Sequence, residues 1–417
     1  MVDPRLNSLW DALPEARIVG GAVRDTLAGR KLADIDLAVP LEPEAVASRL
    51  AEAGIRAIPT GLDHGTITAL IDGKGFEITT LRRDVATDGR HATVEFTDDW
   101  RADAARRDFT INAMSMDRAG TVFDYFGGRA DLAAGRVRFV GDAGVRIAED
   151  YLRIPRFFRF FARYARGEPD TEAIAAITAL RAGLTRLSAE RVWQEIKHIL
   201  ATPDPRAALR LMAETGVLGI VLPEATGLAR FEAAISRAAP PDPILRLVAL
   251  IETDDAELER FPFTRKRSSF ILASNFIRSD RIADPTRSDI ALADRLRLSE
   301  AERVRLAALR TAPDLPPDIG DGALRRALAE VESNILIGRT WLAPDDADRA
   351  PLRARLAATP RPIFPLKGRD ALALGAEPGP LIGEALATTR AWWLARDCKP
   401  DTEACRAELA RNLQSGR

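Results

Sequence analysis

Apolar and polar positions alternate in the first part of the chain, and the period changes partway along it. Residues 34–39 read Asp-Ile-Asp-Leu-Ala-Val, the two-residue period of a strand. Ile35, Leu37 and Val39 then share one face, with Asp34 and Asp36 side by side on the other. Residues 66–71 and 76–82 are also strand-like, and Asp72-Gly73-Lys74-Gly75 between them predicts a β-hairpin. Residues 136–140 predict one more short strand, after a tight connection at Gly127-Gly128. A short helix is expected over 22–28, directly after Gly20-Gly21. Beyond Gly144 the alternation gives way to amphipathic helical periods, as at 189–200, 205–215 and 299–310. Proline and glycine mark linkers at 312–322 and 359–366. The pattern predicts an α+β chain, with an N-terminal head of mixed strands and helices followed by a long all-helical body.

Composition narrows the class. A chain of 417 residues has room for about three domains. Apolar content of 46% and charged content of 29% describe a soluble globular protein. A net charge of −1 excludes a uniformly basic nucleic-acid binder and leaves room for a local basic face. Cys398 and Cys405 are the only cysteines, which implies no disulfide framework and fits a reducing cytoplasm. The N-terminal residues show no signal-peptide pattern and no apolar run approaches a membrane span, so neither a membrane nor a protein partner is expected.

Chemistry enters with the aspartate pair. Adjacent carboxylates repel and generally need cations to hold them. Asp34 and Asp36 could bind two Mg²⁺ ions, one lowering the pKa of an attacking hydroxyl and the other stabilising a leaving phosphate. Alone, Asp-x-Asp reads equally as a solvated strand end. Upstream, Gly20 and Gly21 leave backbone N–H groups free before the short helix, where phosphate can sit. Together with Arg24-Asp25 they point to metal-assisted chemistry on a nucleotide. Glu77, opposite in face to Phe76 and Ile78, is either a third carboxylate of the set or an exposed strand residue. Arg106-Arg107 suits triphosphate or sugar oxygens, with the Phe109-Thr110-Ile111-Asn112 run anchoring it to a core.

Asp150, Arg153, Arg156 and Arg159 recur every three residues, a stripe on a helix with Phe157, Phe158, Phe160 and Phe161 on the other side. The stripe reads as a charged solvent face or as something sharper. A carboxylate only accepts and a guanidinium only donates. Paired, they match the amino group and ring nitrogen of cytosine or adenine, whereas uracil and guanine present an acceptor to the carboxylate. Pro155 interrupts the stripe, so the helix either begins near it or bends there.

These segments resemble the tRNA nucleotidyltransferases (CCA-adding enzymes) of the class shared with bacterial poly(A) polymerases. The resemblance rests on Gly20-Gly21-Ala22-Val23-Arg24-Asp25 with Asp34-x-Asp36, on Arg107-Asp108-Phe109-Thr110-Ile111-Asn112-Ala113, and on Asp124-Tyr125-Phe126-Gly127-Gly128-Arg129-Ala130-Asp131. Glu149-Asp150-x-x-Arg153 and Ser188-Ala189-Glu190-Arg191 with Glu195 complete it. It spans about residues 18 to 200, and the helical remainder is similar only loosely. It implies a polymerase-β-like nucleotidyltransferase head (1–140), a helical neck carrying the nucleotide-selecting motif (141–204), a helical body (205–311) and a tRNA-binding tail (312–417). It further implies that Asp34 and Asp36 bind the metals and catalyse transfer. Gly20, Gly21, Arg24 and Arg107 would contact the incoming nucleotide. Asp150 and Arg153 would pair with the base, supported by Arg156 and Arg159. The implied reaction is template-independent addition of C, C and A to the tRNA 3′ end and acceptor region from CTP and ATP, with Mg²⁺.

Other features are set beside this reading. His64, His91 and His198 are scattered, and no histidine follows His198 to build a metal-dependent phosphohydrolase cluster. Residues 81–100 are a polar segment expected to include a mobile loop, and in the family a flexible loop here helps the switch from C to A addition. The basic, aromatic-laced run 260–267 reads as an RNA contact or as a solvated helix edge. Trp392-Trp393 reads as tail core, and Lys367 to Gly375 as a candidate site for tRNA phosphate. The rival readings are a poly(A) polymerase, a CC-only or A-only enzyme, and a catalytically silent RNA-binding helical scaffold.

Overall fold

The alternation at residues 34–39 becomes the middle of a sheet. The computed structural model describes residues 3–32, 34–61, 65–87, 92–251, 287–343 and 347–415. In it the strands are β1 (Arg17–Val19), β2 (Asp36–Val39), β3 (Arg56–Gly61), β4 (Thr66–Ile71), β5 (Lys74–Thr80), β6 (Arg82–Thr87), β7 (Ala92–Phe96), β8 (Met114–Met116) and β9 (Val122–Asp124). Seven of them form one sheet in the order β3-β4-β5-β2-β1-β8-β9. β2 and β5 run parallel, and the other neighbours are antiparallel. Ile18, Leu37, Val39, Ile67 and Ile78 point to one face and are buried with Leu6 and Leu9 of α1 (Leu6–Ala12) and Val46 and Leu50 of α3 (Pro43–Glu52). Asp36 and Glu77 point to the other face and are exposed. The sheet thus gives one face to this core, while on the other Asp36 and Glu77 are exposed and Val19 and Ala38 are buried with Leu81.

The 66–82 hairpin forms with a tighter turn than expected. Asp72 (φ 48°) and Gly73 (φ 76°) alone make it, in the left-handed geometry that two-residue hairpins need. Residues 136–140 do not become a strand. Phe139 makes only a bridge to Phe109, because the partner segment turns at once into a short 3₁₀ turn, Thr110–Asn112. The described residues of the segment 81–100 include an antiparallel ribbon of β6 and β7, and residues 88–91 lie outside the described residues. His64, His91 and the run 260–267 lie outside the described residues.

The chain divides into two compact units, Met1–Pro223 and Glu224–Arg417. In the first, α2 (Gly21–Leu27) follows β1, and α4 (Trp100–Ala105) and α5 (Gly128–Ala134) flank β8 and β9 in sequence. Beyond these come α6 (Ala143–Glu149), α7 (Arg153–Tyr164), α8 (Thr171–Leu180) and α9 (Ala189–Leu200). α9 matches its predicted span and is capped by Ser188. Pro155 is the third residue of α7, so the helix begins there rather than bending. Its missing N–H falls among first-turn donors that have no helical partner. Phe157, Phe158, Phe160 and Phe161 are buried as the spacing predicts.

Every regular element of two or more residues among the described residues of the second unit is helical. The helix Glu300–Thr311 opens with a capping box between Ser299 and Glu302. Residues 312–320 and 360–367 carry no helix, as the prolines imply. Trp393 is buried with Leu366, Ala385 and Leu409 in a terminal core. No described helix is long and apolar enough to cross a membrane.

Candidate nucleotide site

The glycine turn comes first. Gly20 ends β1 with φ 65° and ψ −125°, a conformation in which side chains are strained, and α2 starts immediately after it. A Cβ on Gly20 would stand 2.9 Å from Nη1 of Arg107. The missing side chain is therefore the space that Arg107 occupies. Arg107 Nη2 donates to Asp103 Oδ2 at 3.2 Å, while Arg106 donates twice to Asp103 Oδ1 (2.9 and 2.8 Å). Asp103 is buried on α4. Burial pushes its carboxyl up, but the two guanidinium groups outweigh this and hold it below the ordinary aspartate range.

Asp36 and Glu77 are directly in register on the parallel pair β2 and β5. The protein packed around Asp36 raises its carboxyl pKa, and Glu77 and Asp34 push it further, against the pull of Arg107. Asp34 lies just before β2 and is exposed. Glu77 and Asp34 thus both repel Asp36, and Arg107 is the cation that offsets them. Among the described residues no three His, Cys, Asp or Glu side chains close on one point.

The base side differs from the continuous stripe that the three-residue spacing predicts. Asp150 is not on the helix. It occupies an extended residue between α6 and α7 (φ −151°, ψ 108°), where its Oδ1 accepts the Leu152 N–H at 3.0 Å. Its Oδ2 accepts from Arg191 Nη2 of α9 at 2.8 Å. Arg153 turns back to Glu149 Oε2 (2.7 Å) and to the carbonyls of Arg146 (2.9 Å) and Arg106 (3.2 Å). Asp150 and Arg153 are thus each held by other partners. Gly183 lies beneath this turn, where a Cβ would fall 1.9 Å from the Tyr151 ring. Arg156 gives Nε and Nη2 to Asp108 Oδ2 (2.9 and 2.6 Å), and Arg159 Nη1 faces Glu195 Oε2 at 3.2 Å.

Sequence reasoning placed Arg24 at the site but missed Asn112 and Asp108, which join it to the rest. Arg24 is buried on α2 and donates from Nη1 to Asn112 Oδ1 at 2.5 Å. Asn112 Nδ2 donates to Asp108 Oδ1 at 2.9 Å. Asp25 accepts from Arg24 (3.1 Å) and from the Tyr164 hydroxyl at the far end of α7. A polar chain therefore runs from Arg24 through Asn112 and Asp108 to Arg156, and Glu195 lies 3.6 Å beyond. Asp103 was legible as a partner four residues before Arg107 on one helix face. Asn112 carried no signal beyond its place in the segment 106–113.

A sequence model of the poly A polymerase head domain matches residues 16–138. A second, described as a probable RNA and SrmB-binding site of polymerase A, matches residues 168–228. Residues 16–138 thus resemble that head domain, and residues 168–228 resemble that second segment. A Danio rerio protein named CCA tRNA nucleotidyltransferase 1, mitochondrial, is 50% identical over 206 residues, 49% of this chain and 48% of the relative. A Geobacillus stearothermophilus CCA-adding enzyme is 39% identical over 228 residues, 54% of each. The chain spans about half the length of the curated relatives it matches. The solved CCA-adding enzyme of Bacillus stearothermophilus in complex with CTP aligns with a TM-score of 0.71 and 26% identity, over 100% of this chain and 99% of that one. The mixed-sheet head with its helical continuation is thus the fold of that CCA-adding enzyme.

Proposed function

We propose that the protein adds C, C and A to the 3′ end of tRNA from CTP and ATP, without a template and with release of pyrophosphate. The observation that carries the reading is the joining of two half-sites in one unit. Asp34, Asp36 and Arg107 gather at the Gly20 turn, and Arg24 there connects through Asn112 and Asp108 to Arg156 beside the Asp150 turn. The similar Bacillus stearothermophilus CCA-adding enzyme was solved in complex with CTP.

Each group has a role in this reading. Asp34 and Asp36, with Glu77 as a further donor, would hold divalent ions, Mg²⁺ in the cell. Ions held there would supply a lowered pKa for the 3′-hydroxyl and positive charge against the leaving phosphate. The hydroxyl attacks the α-phosphate in line, and a carboxylate of the pair takes its proton. The Gly20-Gly21 backbone with Arg24 and Arg107 orients the triphosphate. Asp150, aimed by Arg191, accepts from the amino group of C or A and repels U and G. Arg153 gives the complementary donor on leaving Glu149, and Arg156 and Arg159 hold the far side. Residues 1–140 serve as head, 141–204 as neck, 205–311 as body and 312–417 as the tail that grips tRNA. Lys367 to Gly375 drops out of the RNA surface, because Asp370 already occupies the Lys367 N–H at 2.8 Å and offers negative charge where phosphate would sit. A reducing cytoplasm fits the two free cysteines, although the Danio rerio relative carries a mitochondrial name.

The test is extension of tRNA lacking its CCA end, with CTP and ATP given separately and together. Growth by three nucleotides only with both supports the reading. A long ladder with ATP alone makes the protein a poly(A) polymerase, growth by C alone or A alone makes it a partial enzyme, and no extension leaves an RNA-binding scaffold.

A further inference from the structure

Asn112 stands where the two halves of the nucleotide site meet, and its carboxamide is committed on both sides. Its oxygen accepts from Arg24 Nη1 at 2.5 Å and its nitrogen donates to Asp108 Oδ1 at 2.9 Å. Only one orientation of the amide works. The flipped form would set N–H against guanidinium donors and oxygen against a carboxylate. Asn112 is 6% exposed, so both bonds act in a poorly screened interior where each polarises the next.

The element beneath it is rigid. Asn112 ends the 3₁₀ turn Thr110–Asn112. The Thr110 hydroxyl is held by Asp131 at 2.7 Å, and Gly128 presses so close that a Cβ would fall 2.2 Å from the Thr110 carbonyl oxygen. On one side Arg24 belongs to the helix that follows the glycine turn. On the other, Asp108 takes both nearer nitrogens of Arg156 at 2.9 and 2.6 Å. Burial raises Asp108, but Arg156 and Asn112 hold it below the ordinary range, so it stays ionised and keeps its grip on both.

We infer that Asn112 is a positioning residue that couples the triphosphate side of the site, through Arg24, to the base side, through Arg156. The inference rests on the proposed nucleotide site and deepens it. A displacement of Arg24 by bound phosphate changes the Asn112 oxygen's partner and, through Asp108, the setting of Arg156. Binding of triphosphate and recognition of the base are then one event rather than two.

The experiment is a double-mutant cycle in the full-length chain, read as equilibrium affinity for CTP and for ATP without RNA. Arg24→Lys and Arg156→Lys are measured singly and together, first in the native background and then with Asn112→Ala. In the native background the double variant departs from the product of the singles by about fivefold or more, and in Asn112→Ala by less than about twofold. A purely structural Asn112 would lower thermal stability and leave the coupling ratio in place, which overturns the inference. Effects that simply multiply in the native background overturn it as well. If neither arginine substitution alone alters affinity, the proposed nucleotide site itself is wrong and the inference falls with it. Should Asn112→Ala not fold, Asn112→Asp carries the same cycle, since it keeps the acceptor for Arg24 and loses the donor to Asp108.

Discussion

Arg107 occupies the volume that a side chain on Gly20 would fill, with its Nη1 2.9 Å from where the Cβ would be. Asp103 prevents it from swinging away. Gly20→Ala therefore has two costs, the strained backbone at φ 65° and the displaced guanidinium. The backbone part alone is about 1–3 kcal/mol. The expected result is a lower melting temperature and a rise of about tenfold in KM for both nucleotides, from loss of one charge-assisted contact. Unchanged KM for CTP and ATP would remove Arg107 from the phosphate site.

Asp34→Ala and Asp36→Ala are expected to abolish transfer while leaving tRNA binding near native. Both side chains are exposed, so neither substitution empties the core. Gel-shift affinity alongside single-turnover extension separates the two effects. Native turnover in both variants would defeat the metal role.

Asp108 gives a stability signature in pH. Its folded-state pKa is depressed below the unfolded value, so its contribution is present in full above the unfolded aspartate range and is lost as pH falls through the folded pKa. Asp108→Asn leaves Arg156 without its carboxylate and is expected to destabilise the protein by about 3 kcal/mol at neutral pH. The gap between native and variant should narrow steadily as the pH is lowered below 4. Urea melts of both at a series of pH values check this, and a gap independent of pH would refute the assignment.

Arg191 aims Asp150 at 2.8 Å from a neighbouring helix. Asp150→Ala should relax discrimination against UTP and GTP more than it weakens tRNA binding. Arg191→Ala should give a smaller loss of the same kind, about three- to tenfold, since the carboxylate remains but is free to move. Misincorporation assays with each triphosphate read both, and an Arg191→Ala variant as selective as the native chain would disconnect the pair.

Local signals made much of this legible. Ile35, Leu37 and Val39 alternate with Asp34 and Asp36 because a half-buried strand demands it, and Asp72-Gly73 declares its turn through backbone conformation. What was misread depends on partners remote in sequence. Residues 136–140 have strand composition but meet a segment that turns away after a single bridge. Asp150 fits the spacing of α7 yet lies outside it, because Pro155 suits a helix start and Asp150 is drawn toward Arg191 41 residues later. Asn112 is invisible for the same reason, since its partner Arg24 lies 88 residues upstream.

The remote pairing of Arg156 with Asp108 limits how this site can be recombined. The helix α7 is not a portable cassette. A chimera that imports α7 from an enzyme with no cation at position 156 would strand Asp108 as a buried charge, at about 3–5 kcal/mol. Exchange of base preference between relatives should therefore succeed only when residues 108–112 travel with the helix.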